Sequence, residues 1–572
     1  NNLIISKYAS DKNIDSISKI KITKNKFINC NNFIAHTRWA THGPKTDINS
    51  HPHNDYLNKI SLVHNGIIEN FDIIKNNLIE KGIEFKSQTD TEVISNLIGY
   101  YYNLNNDLEK SILKATNEML GTWALCIICT DFPDNIYCIR HGSPLLIGFN
   151  DDYIIISSEK SGFCNYINNY LVLKDNDLSV IKKENNKFLF EKINDYKIND
   201  FDNSIIELTP SPFKHWTIKE INEQYEASIR AISFGGRLLD DNEVKLGGLN
   251  EQKKYLLEIE NLILLGCGTS LNAANFSKTF FRDLTNLNII LTFDGSEFSF
   301  DDIPKKGKTA FIIISQSGET KDLRNCIEIG KSNNCLLIGV VNSVDSYISR
   351  EVDCGCYLNA GREVGVASTK AFTSQVILLS MIAIYLSQIN NLNIEKRKRY
   401  IKCLRNLPID IKNTLNDNYE IIEKISNNFL NTYSLFILGK NNFKYVADEG
   451  SLKIKEITYI HSESYALSAL RHGPYALLNE NIPVIFLVND DSNINLINST
   501  IEEIKSRNSM VYCITNNELV SSKSDLNIKV PKNELYSGLL LNIPIQLLSY
   551  NISIIRGNNP DKPRNLAKCV SV

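Results

Sequence analysis

The sequence predicts an α+β domain followed by two tandem doubly wound α/β domains, on three observations. Short alternating or apolar runs, with few helical patterns between them, fill residues 1–200, as in a region built around sheets. Thr209-Pro210-Ser211-Pro212 then punctuates the chain. Beyond it, strands and helix-length segments alternate, which is the grammar of parallel sheets, and they do so twice over. A length of 572 residues accommodates three or four ordinary domains.

In chain order, Lys59–Val63, Thr122–Cys129, Leu145–Phe149, Tyr153–Ser157 and Tyr170–Leu173 read as strands, with helical patterns near 70–81 and 91–102. After the Pro-rich punctuation come strands at Leu262–Leu265, Phe311–Ile314 and Leu336–Val341, then a second set at Leu435–Leu438, Val484–Val488 and Met510–Thr515. Gly266 and Gly439 close the first strand of each set, so the halves read as an internal duplication. Val376–Leu386, broken by Ser380, reads as a buried helix, and no apolar run approaches the roughly 20 residues that span a bilayer.

A net charge of −3, with 22% charged residues, gives no reason to expect nucleic acid or an anionic membrane as partner. Thirteen scattered cysteines fit reduced thiols and a cytoplasmic setting. Cys126 and Cys129 lie three apart on a predicted strand and so face opposite sides, as packing residues rather than a metal pair.

Two loops carry the chemistry. Gly266-Cys267-Gly268-Thr269-Ser270 and Ser315-Gln316-Ser317-Gly318-Glu319-Thr320 each follow a buried strand and lead into a helix. Glycine lets the backbone approach closely, and hydroxyls supplement the free N–H groups, which suits an anion. Neither loop matches a nucleotide pattern, so the expected ligand is a small phosphorylated molecule. Lys453 and Glu456 are i,i+3 neighbours on a strong helix pattern that begins at Glu449; by spacing alone they read either as a solvated pair or as proton-moving groups. His472 precedes Gly473-Pro474 at a helix stop. The tail Asp561–Val572, with Lys568, reads either as a solvated basic end or as a docked segment carrying a Schiff-base lysine. Five of nine histidines fall between His36 and His64, without ligand spacing for zinc. Asn65-Gly66 reads either as a hairpin turn or as an oxyanion hole.

These motifs resemble the glutamine–fructose-6-phosphate aminotransferase (isomerising) family, the glucosamine-6-phosphate synthases. The likeness rests on His36-Thr-Arg-Trp-Ala-Thr-His-Gly43, His64-Asn-Gly-Ile-Ile-Glu-Asn70, Thr89-Asp-Thr-Glu92, Ser315–Thr320, Gly365–Gln375, the Lys453–Glu456 helix, Arg471-His-Gly-Pro474 and Pro563-Arg-Asn-Leu-Ala-Lys568. It implies an N-terminal-nucleophile-type glutaminase domain at 1–207, a linker at 208–224, sugar-isomerase domains at 225–405 and 406–563, and a catalytic tail at 564–572. It further implies that glutamine supplies ammonia through a channel, and that fructose 6-phosphate becomes glucosamine 6-phosphate, the entry to UDP-N-acetylglucosamine, in a homodimer or higher oligomer without metal or organic cofactor.

The resemblance also implies residue roles. Arg38 and Asp90 hold the two ends of glutamine; Thr41, His42 and Gly66 line the pocket; Asn65 and Gly66 form the oxyanion hole; Trp39 gates the ammonia path. Ser315, Gln316, Ser317 and Thr320 hold the sugar phosphate, with Thr269, Ser270, Val366 and Ser368 on the sugar. His472 opens the ring, Lys568 forms the Schiff base, and Glu456, assisted by Lys453, moves the proton between C1 and C2.

One departure stands out. The family opens on a catalytic cysteine whose α-amino group serves as base, whereas this chain opens on Asn1. The domain is therefore expected to be truncated, and the 572-residue chain to release no glutamate from glutamine. Either the sequence is a piece of a longer enzyme, or the protein uses free ammonia or acts as an isomerase alone. A non-catalytic sugar-phosphate sensor is the remaining alternative, against which Glu456, His472 and Lys568 speak together.

Overall fold

The computed structural model describes residues 3–568 except 11–13, 29, 39–43, 165, 185–186, 191, 202–208, 345 and 490–492. Two compact units divide at Leu208 and Thr209.

In the first unit, His53–Asn54 (β1), Ile60–Ile68 (β2), Gly121–Cys129 (β3), Phe132–His141 (β4), Ser179–Glu184 (β8) and Lys187–Phe190 (β9) form one antiparallel sheet in the order β1-β2-β3-β4-β8-β9. Leu146–Phe149 (β5), Ile154–Ser157 (β6), Asn169–Val172 (β7) and Asn199–Asp200 (β10) form a second, in the order β10-β7-β5-β6. The alternation of β3 explains the layering. Trp123, Leu125, Ile127 and Cys129 face a core shared with helices Phe71–Glu80 (α1), Asp90–Asn105 (α2) and Leu108–Glu118 (α3). Ala124 and Cys126 face the other way, against Leu145, Ile147 and Leu171 of the second sheet's layer. Cys126 and Cys129 thus pack on opposite faces.

The hairpin reading of Asn65-Gly66 is overturned: both lie in the middle of β2, opposite Ala124 and Trp123. β2 runs five residues past the expected strand because pairing with β3 continues through the polar His64-Asn65-Gly66 stretch. Helix α3, capped by the Asp107 side chain on Lys110 N–H, was not expected, nor were β4, β8 and β9.

The second unit carries two parallel five-stranded sheets. Ile259–Gly266 (β11), Ile289–Asp294 (β12), Lys308–Ser315 (β13), Leu336–Val341 (β14) and Cys354–Tyr357 (β15) run in the order β12-β11-β13-β14-β15. Ser434–Gly439 (β16), His461–Ala466 (β17), Val484–Val488 (β18), Val511–Thr515 (β19) and Leu526–Lys529 (β20) repeat that order as β17-β16-β18-β19-β20. The shared 2-1-3-4-5 order agrees with the internal duplication. Four strands, β12, β15, β17 and β20, were not expected. They lie at sheet edges, where polar residues interrupt the apolar run.

One core runs through both sheets, built from helices Trp216–Asn222 (α4), Thr269–Leu284 (α5), Lys370–Ile389 (α6), Ile394–Ser426 (α7), Phe443–Thr458 (α8) and Ser537–Ile555 (α9). Helix α7 spans 33 residues without interruption across the expected boundary at 405/406, and α4 occupies part of the expected linker 208–224. Helices α6 and α9 are long and apolar enough to cross a membrane, yet 89% and 83% of their apolar windows are buried in this fold, as core helices are.

Candidate active site

In each parallel sheet of this order, the connections diverge between the first and third strands, and ligands bind at the carboxyl ends there. In the first sheet those strands are β11 and β13, and the two glycine-hydroxyl loops follow them directly. Gly268, at φ +54, turns the chain into α5, so that Thr269 and Ser270 open the helix. After β13, Ser315 Oγ accepts from Gly318 N–H (3.0 Å) and pairs with Thr320 Oγ1 (2.9 Å), while Ser317 Oγ accepts from Glu319 N–H (3.1 Å). Gly318 has φ +71, and a Cβ there would lie 2.0 Å from Ser346 Oγ. The Gln316 carbonyl accepts from Asn342 N–H (3.2 Å), tying the loop to the end of β14. Ser270 Oγ accepts from the buried Gln375 side chain (2.9 Å).

Helix α8 presents Glu449 and Lys453 to α5, with Glu456 paired to Lys453 on its own helix. Lys453 Nζ donates to Thr269 Oγ1 (3.0 Å) and pairs with Glu456 Oε2 (2.6 Å) and Glu449 Oε1 (3.4 Å). Asn272 and Thr269 donate to the Glu449 carboxylate (2.9 and 3.1 Å). The solvated-pair reading is overturned, because the Lys453 side chain is 2% exposed and that of Glu456 19%. Burial lowers the Lys453 pKa, but Glu449 and Glu456 outweigh it and hold it above the ordinary lysine value. Burial pushes Glu449 up to about 7, against the pull of Lys453.

Over its described residues, 561–568, the tail is docked, not solvated. Asp561 caps α4, accepting from Trp216 N–H (2.9 Å) and Thr217 N–H (2.8 Å). Arg564 N–H donates to the Tyr459 hydroxyl (2.8 Å), and its guanidinium stacks on that ring. Lys568 Nζ lies 2.7 Å from Glu363 Oε2 and 3.4 Å from Ser368 Oγ. Glu363 is fully buried and also accepts from Thr369 and Ala371 N–H at the start of α6 (2.9 and 3.1 Å). Burial pushes its carboxyl up, but Lys568 and these N–H groups hold it below the usual glutamate range. The Val366 N–H is engaged by the Asp561 carbonyl (3.2 Å), which leaves only its carbonyl for a ligand.

His472 stands apart. It follows the 3-10 turn Leu467–Arg471 and is exposed. Among the described residues, no hydrogen bond or ion pair joins its side chain to Lys453, Glu456 or Lys568.

In the first unit, Asp90 opens α2 and accepts from Ile68 N–H (3.0 Å), with His64 Nδ1 3.8 Å away. Burial lowers the Arg38 pKa while the Asp90 charge opposes the shift, so the two groups interact. Gly66 leaves no room for a side chain: a Cβ would meet the Thr122 carbonyl at 2.0 Å. His36 and His51 stack at 4.3 Å, His51 meets His53 edge-on at 5.2 Å, and Thr91 and Thr89 hydroxyls bond His51 and His53. Burial is the main cause that puts His36 at about 4 and His53 at about 3. Among the described residues no three His, Cys, Asp or Glu side chains are grouped to hold a metal ion. The expectations for Trp39, Thr41 and His42 lie outside the described residues.

Sequence reasoning missed Glu363, Glu449, Glu220 and Asp561. Glu449 was legible as the i,i+4 neighbour of Lys453; Glu220, Asp561 and the Lys568 contact of Glu363 depend on long-range packing.

A glycine-hydroxyl loop at the switch point of one parallel sheet, a buried Lys–Glu helix and a docked tail lysine thus accompany two sheets of one strand order, in one chain with an α+β unit. The family model for the SIS domain matches residues 255–385 and 429–556, and that for a glutamine amidotransferase domain matches 36–165. A protein of Acanthamoeba polyphaga mimivirus, named "Probable glutamine--fructose-6-phosphate aminotransferase [isomerizing]", is 41% identical over 99% of this chain and 92% of its own. The Chlorobaculum tepidum glutamine–fructose-6-phosphate aminotransferase (isomerizing) is 35% identical over 94% of this chain and 88% of its own. The solved C-terminal domain of the glucosamine-fructose-6-phosphate aminotransferase from Francisella tularensis is 30% identical and matches with a TM-score of 0.57, covering 62% of this chain and all of that one. This chain belongs to the glutamine–fructose-6-phosphate aminotransferase (isomerising) family.

Proposed function

We propose that the protein transfers nitrogen from glutamine to fructose 6-phosphate and isomerises the product to glucosamine 6-phosphate, the entry to UDP-N-acetylglucosamine. The observation that carries this reading is the buried Lys453–Glu456 pair at the loop after β11, where Lys453 donates to Thr269, together with the docked tail that seats Lys568 on Glu363. Ser315, Gln316, Ser317 and Thr320 bind the phosphate, and this remote handle supplies binding energy that holds the carbonyl end in place. Thr269, Ser270, Ser368 and the Val366 carbonyl orient the sugar hydroxyls. The Lys568 amine condenses with the ketone, which opens the C1–C2 region to proton loss. The Glu456 carboxylate, compact enough to reach both carbons, carries the proton between them, and Lys453 fixes its position.

In the first unit, Arg38 clamps the glutamine α-carboxylate and Asp90 its α-amino group. Asn65 and the close-packed Gly66 backbone stabilise the oxyanion, Thr41 and His42 complete the pocket, and Trp39 gates ammonia. His472, exposed and without a polar link to Lys568, opens the sugar ring in the site of a second copy of the chain, so that the working unit is a homodimer or larger.

The test uses ammonium as nitrogen donor, which interrogates the isomerase half by itself. Glu456→Gln is expected to lower kcat for glucosamine 6-phosphate formation by about 100-fold or more with little change in KM. Turnover at the wild-type rate would remove Glu456 from the mechanism.

A further inference from the structure

The tail lysine poses a problem that its site answers. Schiff-base formation needs a lone pair on Nζ, yet the Lys568 amine is engaged as a donor to a buried carboxylate 2.7 Å away. We propose that Glu363 resolves this by accepting the Lys568 proton when the sugar ketone arrives and returning it to the oxygen that leaves as water. The inference rests on the Schiff-base reading above and adds the residue that makes the amine nucleophilic.

The geometry fits a one-proton relay. Glu363 Oε1 is committed to the N–H groups of Thr369 and Ala371, whereas Oε2 faces Lys568. Among the described residues the other polar contact of Nζ, Ser368 Oγ at 3.4 Å, is a neutral hydroxyl and a poor proton acceptor. Three further groups set the field. Glu220 on α4 accepts from Gly365 N–H (3.2 Å), and burial, then the Glu363 charge, push its pKa to about 8. Of the two carboxyls it is the less ready to carry charge. Lys370 lies within reach of Glu220 but is bound to Glu223 at 2.5 Å. Lys453 acts on Glu363 from α8 and keeps it a carboxylate in the resting site, so protonation waits for the ketone to draw the amine's lone pair.

The step balances. One ammonium proton moves to Glu363, and the freed lone pair forms the C–N bond as the carbonyl π pair moves to oxygen. A second proton shifts from nitrogen to that oxygen, giving the carbinolamine. Glu363 then protonates the hydroxyl, and water departs, leaving the protonated imine with one N–H.

The test is borohydride trapping of the imine with fructose 6-phosphate, read as a mass shift on the tail peptide. In the full chain the trapping rate is expected to be nearly flat between about pH 6 and 8, because the acceptor is internal. In Glu363→Gln it is expected to fall about 100-fold at pH 7, and to climb roughly tenfold per pH unit as solvent removes the proton instead. A variant that traps at the wild-type rate with a flat profile would overturn the relay. If the variant does not fold, the wild-type profile decides alone, since a tenfold climb per pH unit there excludes an internal acceptor. Absence of trapping in the folded wild type would instead remove the Schiff base itself.

Discussion

Single residues set the tolerances of both halves. Gly318 sits at φ +71 with Ser346 Oγ where a Cβ would go. Gly318→Ala is expected to cost about 1–3 kcal/mol and to raise the KM for fructose 6-phosphate, measurable by thermal melts and ammonium-dependent kinetics. The buried histidines predict a pH response of the first unit. His36 and His53 have folded pKa values of about 4 and 3 against 6.5 for the free side chain. From about pH 6.5 down to 4 the unfolded chain binds protons that the folded unit refuses, so stability is present above that window and lost as pH falls through it. Each histidine contributes roughly 1.4 kcal/mol per pH unit there. Denaturant melts of the first unit should show this slope, and His36→Phe should flatten part of it. For Glu220 the sign reverses: its raised pKa favours the folded state at low pH, and that contribution is lost as pH rises from 4.5 to about 8. Glu220→Gln should therefore gain stability relative to wild type at pH 8, an advantage that fades toward pH 5.

At the scale of elements, the site depends on helix ends meeting distant chain. Helix α4 has no cap of its own, and Asp561, 344 residues from Thr217, supplies it. Asp561→Ala is expected to cost about 1–2 kcal/mol and to loosen the tail that carries Lys568. Borohydride trapping should therefore fall even under conditions where thermal melts show the second unit folded. The strands β11, β13, β14, β16 and β18 were legible because burial on both faces demands an unbroken apolar run. The edge strands β12, β15, β17 and β20 were not, because half-exposed strands mix polar residues and lose the pattern. Helix α3 escaped because its buried face, Leu108, Ser111, Ile112, Ala115 and Thr116, is short and partly polar.

On the scale of the molecule, the second unit is held by one core that threads both sheets, and α7 joins them without a break. The two isomerase halves are therefore expected to unfold as one, and a polypeptide of residues 209–572 to keep ammonium-dependent activity. A single calorimetric transition for that polypeptide would agree; two well-separated transitions would contradict a shared core.

The local sequence determined the strand-loop-helix units, the hydroxyl-rich loops and the Lys453–Glu456 spacing, because these depend on neighbours one to five residues apart. It left open whether Lys453 was solvated, whether the tail was docked, and which carboxylate faced Lys568. Those were decided by tertiary structure alone, because burial and ion pairing come from contacts across about 200 residues of chain, as between Glu363 and Lys568. No short-range pattern encodes such a contact; the shared core brings the two groups together and excludes the water that would otherwise screen them.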